Sequence, residues 1–271
     1  MSLTATLVRK VAAPAAAAAV AVAAVAAPNS WYTLPLIPLA SFISIMEPFY
    51  DILEGRHVSK SEIDPIFDAL CPLTPEEKLR SQKIKALQMG CGNIHEEVMG
   101  RLPGMRMFKN GHSSGCDVGT LDCSWVIELK NHVNTMNGGG RKTVESTLVK
   151  QRGLGRRATL CIVNGAFEKK VLASGAEEIS GRQLYAELTG IPDYFDQLIG
   201  TVHLVFDKYE TYAALVETVG AAAVEAALET EKAKTPLTEL SKAELVKRCK
   251  KLLLDAKGSE EDLIKRLSET A

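Results

Sequence analysis

The pattern of apolar and polar positions changes period along the chain, from helical spacing at both ends to alternation in the middle. Residues 31–55 are largely apolar and predict one or two buried helical segments, whose limits are blurred by prolines. Two capping boxes follow, Ser59-Lys-Ser-Glu62 and Thr74-Pro-Glu-Glu77, and each predicts the start of a helix. Because two glycines interrupt the second helix near Met89, we expect a separate short helix that ends near Gly100.

Shorter periods mark the middle of the chain. Residues 105–108, 116–121 and 124–131 are short segments separated by turns rich in Gly, Asn and Ser, a pattern typical of a β-meander. A helix is predicted over 141–150, and the apolar run 158–163 predicts a buried strand.

More helices and one more strand are predicted up to residue 219. The segment Ser180-Gly-Arg-Gln183 predicts a helix start, and residues 193–198 predict a short further helix. An apolar run over 202–206 predicts a strand, and a helix is expected over 209–216. Strands flanked by helices on both sides predict an α/β layer.

The pattern over residues 220–271 predicts a linker and a small helical unit. Residues 220–235 are rich in Ala and charged residues and predict a helical linker. Beyond it, Ser241-Lys-Ala-Glu244 and Ser259-Glu-Glu-Asp262 begin two short amphipathic helices on either side of a turn at Lys257-Gly258. We therefore divide the chain into a low-complexity segment (1–28), a domain with a helical N-terminal elaboration (29–219), the linker (220–235) and a C-terminal module (236–271).

Composition narrows the possible partners only slightly. The net charge of −1 argues against a protein that coats nucleic acid along its whole surface, because such binding needs a positive excess. Local basic patches remain compatible with DNA binding. The six cysteines are scattered with no C-x-x-C pair, which argues against a zinc ribbon and favours reduced thiols in an intracellular setting such as the cytosol or the nucleus.

The N-terminal segment leaves the localisation open. Residues 1–28 are rich in Ala and Val, carry Arg9 and Lys10, and precede the first acidic residue, Glu47. A signal peptide, an organelle transit peptide and a disordered low-complexity tail all fit this composition. A membrane span fits less well, since the apolar run is shorter than the ~20 residues required.

The segment Trp125-Val-Ile-Glu-Leu-Lys130 carries the candidate chemistry. Because side chains alternate along a strand, Glu128 and Lys130 should project together while Ile127 and Leu129 point into a core. Asp117, at the start of the preceding strand, can meet them across a hairpin. Two carboxylates and a backbone carbonyl suit a hard cation, so we expect Mg²⁺, with Mn²⁺ able to substitute.

Such a set of groups is what phosphodiester hydrolysis requires. Lys130 would orient or deprotonate the attacking water and offset charge in the transition state. Glu97, on the helix before the hairpin, is a candidate outer ligand, and Gln151 is expected to face the same cleft from the next helix.

Asp117, ten residues and then Glu128-Leu-Lys130 resemble the PD-(D/E)xK nuclease superfamily. The continuation to Asn137 and the later segment Ile179-Ser-Gly-Arg-Gln-Leu-Tyr185 resemble a subset of type II restriction endonucleases, over about residues 92–194. The resemblance implies a restriction-endonuclease-like core, a mixed central sheet flanked by helices. It also implies that Asp117 and Glu128 bind metal, that Lys130 is the catalytic base or stabiliser, and that Asn131, Asn134 and Asn137 lie near the scissile strand. Cys116 stands where the superfamily name has proline.

Simpler interpretations exist for several of these residues. Glu128 and Lys130 would also fit an ion pair on a solvated sheet face. No H-x-N-H or H-E-x-x-H spacing is present, so the histidines are expected to be ordinary surface or core residues. Arg156 and Arg157 lie in a basic loop that could grip DNA phosphates or form a solvated turn.

The C-terminal module resembles a SAP domain, a two-helix DNA-binding unit. By that resemblance, apolar residues form its small core and a row of basic residues faces DNA phosphates. Glu260 stands where family members often have lysine, so weaker DNA binding, a protein contact or a plain helical hairpin also fits. The predicted phosphate contacts are Lys247, Arg248, Lys250 and Lys251, and the predicted core is Leu240, Leu245, Leu254, Leu263, Ile264 and Leu267.

The sequence thus predicts an enzyme that hydrolyses double-stranded DNA with Mg²⁺ and no small-molecule cofactor, cutting at specific sequences. A homodimer is expected, because one active site per chain cuts both strands of a palindrome only with two-fold symmetry. Two alternatives share many of these residues. One is a structure-specific repair or recombination nuclease, and the other is a non-catalytic DNA-binding or chromatin protein.

Overall fold

The computed structural model describes residues 31–56, 73–108, 112–132, 138–240 and 242–269. Several predictions lie outside the described residues: those on the segment 1–28, on the capping box at residues 59–62, on Asn134 and Asn137, and on the helix-capping Ser241.

Helices and a six-stranded sheet make up this part of the chain. The helices are α1 (Leu39–Leu53), α2 (Pro75–Arg101), α3 (Gly138–Gly153), α4 (Gly181–Thr189), α5 (Tyr194–Lys208), α6 (Tyr212–Glu217), α7 (Ala221–Ala233), α8 (Lys242–Lys251) and α9 (Glu260–Ser268), with a 3-10 turn at Leu237–Glu239. The strands are β1 (Met105–Met107), β2 (Val118–Thr120), β3 (Trp125–Lys130), β4 (Arg157–Ile162), β5 (Lys170–Val171) and β6 (Glu177–Ser180).

The sheet is mixed, with the strand order β1-β2-β3-β4-β6-β5. The first three strands form the predicted antiparallel meander, while β3, β4 and β6 run parallel and β5 closes the edge antiparallel. The α/β class with a mixed sheet between helices is therefore confirmed. The sequence reasoning missed β5 and β6, because both are short and mostly polar.

Each face of the sheet packs against its own apolar core. Ile127 and Leu129 of β3 enter the larger core, which the N-terminal helices and α5 complete. Val126 belongs to the smaller core on the opposite face, with Leu148 of α3 and Leu160 of β4. Alternation along β3 thus assigns Glu128 and Lys130 to the face of Val126, as predicted.

Helix α2 corrects the expected break near Met89, because it is continuous from Pro75 to Arg101. Its capping box is present, since the Thr74 hydroxyl accepts the Glu77 N–H and the Glu77 carboxylate accepts the Thr74 N–H. Two glycines of α2, Gly90 and Gly100, instead allow neighbouring groups to pack closely against the helix. A Cβ at Gly90 would lie 3.1 Å from the Phe49 ring, and one at Gly100 would lie 2.7 Å from the Met107 nitrogen.

Helix α5 corrects a second prediction, because the apolar run 202–206 lies inside it and forms no strand. A short apolar run has the same composition in a strand and in a buried helix. The helical period decides here, since Leu198 and Val205 are buried on one side while Leu204 is exposed on the other.

The predicted linker is a packed helix. α7 lies against α1, and its Val224 is buried in the larger core. The C-terminal module beyond it contains its own core of Leu240, Leu245, Cys249, Leu263 and Leu267. The predicted capping box at Ser259 and Asp262 is present. Among the described residues, none of the helices combines the length and apolar character needed to cross a bilayer.

Candidate active site

Backbone pairing fixes Asp117 at the entrance to the meander. Its N–H donates to the Ile127 carbonyl at 3.1 Å, and its carbonyl accepts the Phe108 N–H at 2.8 Å. The side chain turns toward β3, where Oδ2 accepts the Leu129 N–H at 2.7 Å. This carboxylate is therefore held beside the strand that carries Glu128 and Lys130.

The Lys130 ammonium joins the two carboxylates. Its Nζ lies 2.6 Å from Oε1 of Glu128 and 3.9 Å from Oδ2 of Asp117, and it donates to the Leu129 carbonyl at 2.9 Å. Asp117 and Lys130 are partly open to solvent, while Glu128 is buried. The structure thus brings together the three residues that the sequence singled out.

Burial dominates the electrostatics of the cluster. It raises the pKa of Asp117, against the opposing effects of the Leu129 N–H and Lys130. It also raises the pKa of Glu128, to which the negative charge of Asp117 adds. Burial alone would lower the pKa of Lys130, but the hydrogen bond and charge of Glu128, with further negative charge nearby, leave that pKa raised. Lys130 is therefore an ammonium at neutral pH. Its charge does not fully offset the burial that raises the pKa values of the two acids.

Glu96, which the sequence reasoning missed, interacts with the charges of this cluster. Burial raises its pKa to about 7, and the charges of Asp117, Lys130 and Glu128 act on it next.

Glu97, the residue predicted as an outer ligand, instead accepts two hydrogen bonds from Arg101, at 3.0 and 3.3 Å. Arg101 is buried and also donates to Ser41, so this ion pair belongs to the packing of α2 on α1. The sequence pattern did not indicate which of the two adjacent glutamates on α2 approaches the cluster.

The donor set around Lys130 fits a hard divalent cation. Three oxygens surround the ammonium nitrogen: two from carboxylates and one from the Leu129 carbonyl. Magnesium prefers this kind of ligand and completes its shell with water and substrate phosphate. Within the described ranges no three His, Cys, Asp or Glu side chains form a metal-binding group, and the Leu129 carbonyl adds a third protein oxygen beside the two acids.

Gln151 does not face the cleft, which corrects that prediction. It is fully buried, and its Nε2 donates to the Ser114 carbonyl at 2.9 Å. Its Oε1 accepts a hydrogen bond from Arg156 at 2.7 Å. Gln151 therefore holds the loop that leads into Asp117.

Arg157 is engaged within the protein, and phosphate binding by it stays a prediction. Its guanidinium lies 3.7 Å from the centre of the Trp125 ring. Two carboxylates bind it as well, Glu177 at 2.5 Å and Glu187 at 2.6 Å. The positive charge of Arg157 is therefore paired with acids of the protein itself. Phosphate binding by Arg156 stays a prediction.

Asn131 directly follows Lys130 and lies next to α2. A Cβ built on Gly92 would be 3.5 Å from the Asn131 amide nitrogen. Its carbonyl accepts the Asn164 N–H at 3.0 Å, which continues the pairing of β3 with β4. The placement is compatible with a role beside the cluster, and that role stays a prediction.

The four predicted DNA contacts on α8 divide into two pairs. Lys247 and Lys250 are exposed. Arg248 donates to the Lys232 carbonyl at 2.6 Å, and Lys251 pairs with Glu229 at 2.5 Å. The second pair therefore faces α7 and attaches the module to it.

Comparison with known proteins assigns the chain to a family. The model of the Eco47II restriction endonuclease family matches residues 52–210, which include the whole sheet together with Asp117, Glu128 and Lys130. No curated protein and no solved structure matches the chain. Because the match covers more than half of the chain, this protein belongs to the Eco47II restriction endonuclease family, and it is a restriction-endonuclease-like nuclease that acts on DNA.

Proposed function

We propose that this protein is a magnesium-dependent endonuclease of the PD-(D/E)xK type, which cuts both strands of duplex DNA at a specific sequence. One observation carries the proposal: the buried Glu128 of β3 and the half-buried Asp117, just before β2, approach a single ammonium, 2.6 and 3.9 Å away. An ordinary surface ion pair needs only one acid and does not require burial. The family match supports DNA as the substrate.

Asp117, Glu128 and the Leu129 carbonyl are the groups that would hold the cation. Mg²⁺ bound there would neutralise phosphate oxygens, lower the pKa of a water and stabilise the departing alkoxide. Mn²⁺ has similar ligand preferences and should substitute. The raised pKa values of the two acids support this assignment, because a nearby positive charge relieves the cost of ionising them.

Lys130 acts as a charge stabiliser in this proposal. Its raised pKa keeps it protonated at neutral pH, so it is poorly suited to remove a proton from water. An ammonium held against Glu128 can instead bind the scissile phosphate and orient the attacking water. Glu96 replaces Glu97 as the outer acid, because its charge couples to the other three groups.

The C-terminal module is proposed to be a SAP-like tether. Its exposed Lys247 and Lys250 would contact phosphates, and linkage to the nuclease would raise the local concentration of DNA. Cutting both strands of a palindrome would require a homodimer, with one active site from each copy.

Cleavage of a long defined duplex, followed by sequencing of the ends, tests the proposal. The wild type should cut at one recurring sequence with Mg²⁺ and not with EDTA. Asp117→Asn and Lys130→Met should each lose about a thousandfold or more in rate, since each removes a group that acts on the phosphate. Lys169→Met is the matched control, because Lys169 is a partly exposed lysine that pairs with Glu177 and Glu187 instead.

Three results would contradict the proposal. Metal-independent cutting would exclude the cation, and full activity in Lys130→Met would exclude the assigned role of Lys130. Ends that map to flaps or junctions instead of a sequence would indicate a structure-specific nuclease.

A further inference from the structure

The C-terminal module makes a buried ion-pair contact with the nuclease core. Glu239, in the 3-10 turn that begins the module, accepts two hydrogen bonds from Arg106 of β1, at 2.6 and 2.9 Å. The Arg106 side chain is 4% exposed, and its Nη2 also contacts Cys123 at 3.0 Å. The Arg106 Nε is buried with no hydrogen-bond partner, so Glu239 provides most of the compensation for this buried charge.

The same carboxylate reaches His112. Oε1 of Glu239 lies 3.3 Å from His112 Nε2. The other ring nitrogen, Nδ1, accepts the Ser114 N–H at 3.1 Å, so in the neutral ring the proton is on Nε2 and points to Glu239. The ring stacks on Phe108 with a centroid distance of 4.2 Å, and the Arg106 guanidinium lies over the same Phe108 ring, 4.8 Å from its centre.

From His112 the contacts continue to the active site. The Ser114 hydroxyl bonds to His112 Nδ1 at 2.7 Å and accepts the Cys116 N–H at 3.2 Å. Cys116 directly precedes Asp117, and Phe108 donates its N–H to the Asp117 carbonyl. The loop 112–117 therefore begins at a residue that Glu239 contacts, His112, and continues through Ser114 to Asp117.

We infer that Glu239 is a positioning residue for the active site: by holding Arg106 and His112 it fixes the loop 112–117 and so the carboxylate of Asp117. The inference rests on the proposed function, because it concerns the placement of a proposed metal ligand. It gives the C-terminal module a second task besides DNA tethering. The catalytic centre is complete only when the module is docked.

Tethering and positioning make different predictions about kinetics. A tether acts on encounter, so its loss raises KM and matters most on long DNA. A positioning residue acts on the geometry of bound groups, so its loss lowers kcat on any DNA, including a duplex too short to reach the module.

Glu239→Gln in the full-length chain provides the test, since the amide retains one acceptor for Arg106 while removing the charge. On a short duplex at saturating concentration, kcat should fall about tenfold or more, with KM changed less than about twofold. The Mg²⁺ concentration for half-maximal rate should rise, because Asp117 is less well placed. Glu229→Gln is the matched control, because it weakens the contact of α7 with Lys251 of the module, and a pair with Lys232 inside α7, but does not touch the loop.

A double-mutant cycle keeps the test independent of folding defects. His112→Phe preserves the aromatic stack and removes the polar contacts of the ring with Ser114 and Glu239, so adding Glu239→Gln to it should lower kcat by much less than in the wild type. Unchanged kcat and Mg²⁺ dependence in Glu239→Gln, or full additivity in the cycle, would overturn the inference. If the wild type itself does not cleave, the proposed function fails instead. Circular dichroism spectra that match the wild type assign any loss of rate to positioning, whereas a kcat loss that follows unfolding overturns it.

Discussion

Replacing Glu96 by glutamine should stabilise this protein above neutral pH. In the folded state, burial and the neighbouring acids raise the pKa of Glu96 from 4.5 to about 7. The side chain is half-buried beside Asp117, Glu128 and Lys130, so ionising it adds a negative charge to a site that already holds two acids. A neutral amide of nearly the same shape avoids that cost.

The sign follows from proton linkage. Below pH 4.5 the carboxyl is neutral in the folded and the unfolded chain, so its contribution to stability is fully present. As the pH rises the unfolded chain ionises first, and the free energy of unfolding falls until the pH passes about 7. A fully enclosed carboxyl would account for about 3 kcal/mol. Glu96 is partly solvated, and screening reduces the expected gain for Glu96→Gln to about 1–2 kcal/mol at high pH.

Urea unfolding followed by tryptophan fluorescence can measure this difference. The gain of Glu96→Gln over the wild type should be largest near pH 8 and much smaller near pH 5. Glu97→Gln is the neighbouring control with the opposite sign. It weakens the hydrogen bonds to buried Arg101 and should cost about 1–2 kcal/mol. A loss of stability in Glu96→Gln near pH 8, or a gain that does not depend on pH, would refute the reasoning.

Two further predictions concern Arg157 and Leu253. Arg157→Ala should lower the free energy of unfolding by about 1–2 kcal/mol, because it removes the contacts with Trp125 and Glu177, and should leave the salt dependence of DNA binding unchanged. A decrease of about one in the slope of log K against log salt would identify Arg157 as a phosphate contact after all. Leu253→Gly should stabilise the C-terminal module by up to about 1 kcal/mol in thermal unfolding, because Leu253 has φ 57° and is 94% exposed. A lower melting temperature would mean that the leucine makes a contact which outweighs its backbone strain.

Local pattern was sufficient for much of the site. Strand alternation predicted that Glu128 and Lys130 share a face, and their ion pair at 2.6 Å agrees. The capping boxes at Thr74 and Ser259 were also readable, since they depend only on residues three apart. Features of this kind are determined within a few residues of chain, and tertiary packing has little to add to them.

Other features depended on partners distant in sequence. Gly90 sits in an unbroken helix because the Phe49 ring needs the space, and Gln151 is turned inward by the Ser114 carbonyl. Arg157 is engaged by Glu177, which lies on a strand that the pattern did not predict.

The sequence by itself determined the chemical groups of the site, the strand that carries two of them and the amphipathic ends of the chain. Only the tertiary structure decided that Glu96 interacts with the charges of the cluster while Glu97 pairs with Arg101, and that Glu239 reaches the loop before Asp117. The physical reason is the range of the interactions. Backbone sterics and side-chain alternation act between neighbours, whereas burial and ion pairing depend on which distant segments share the same space.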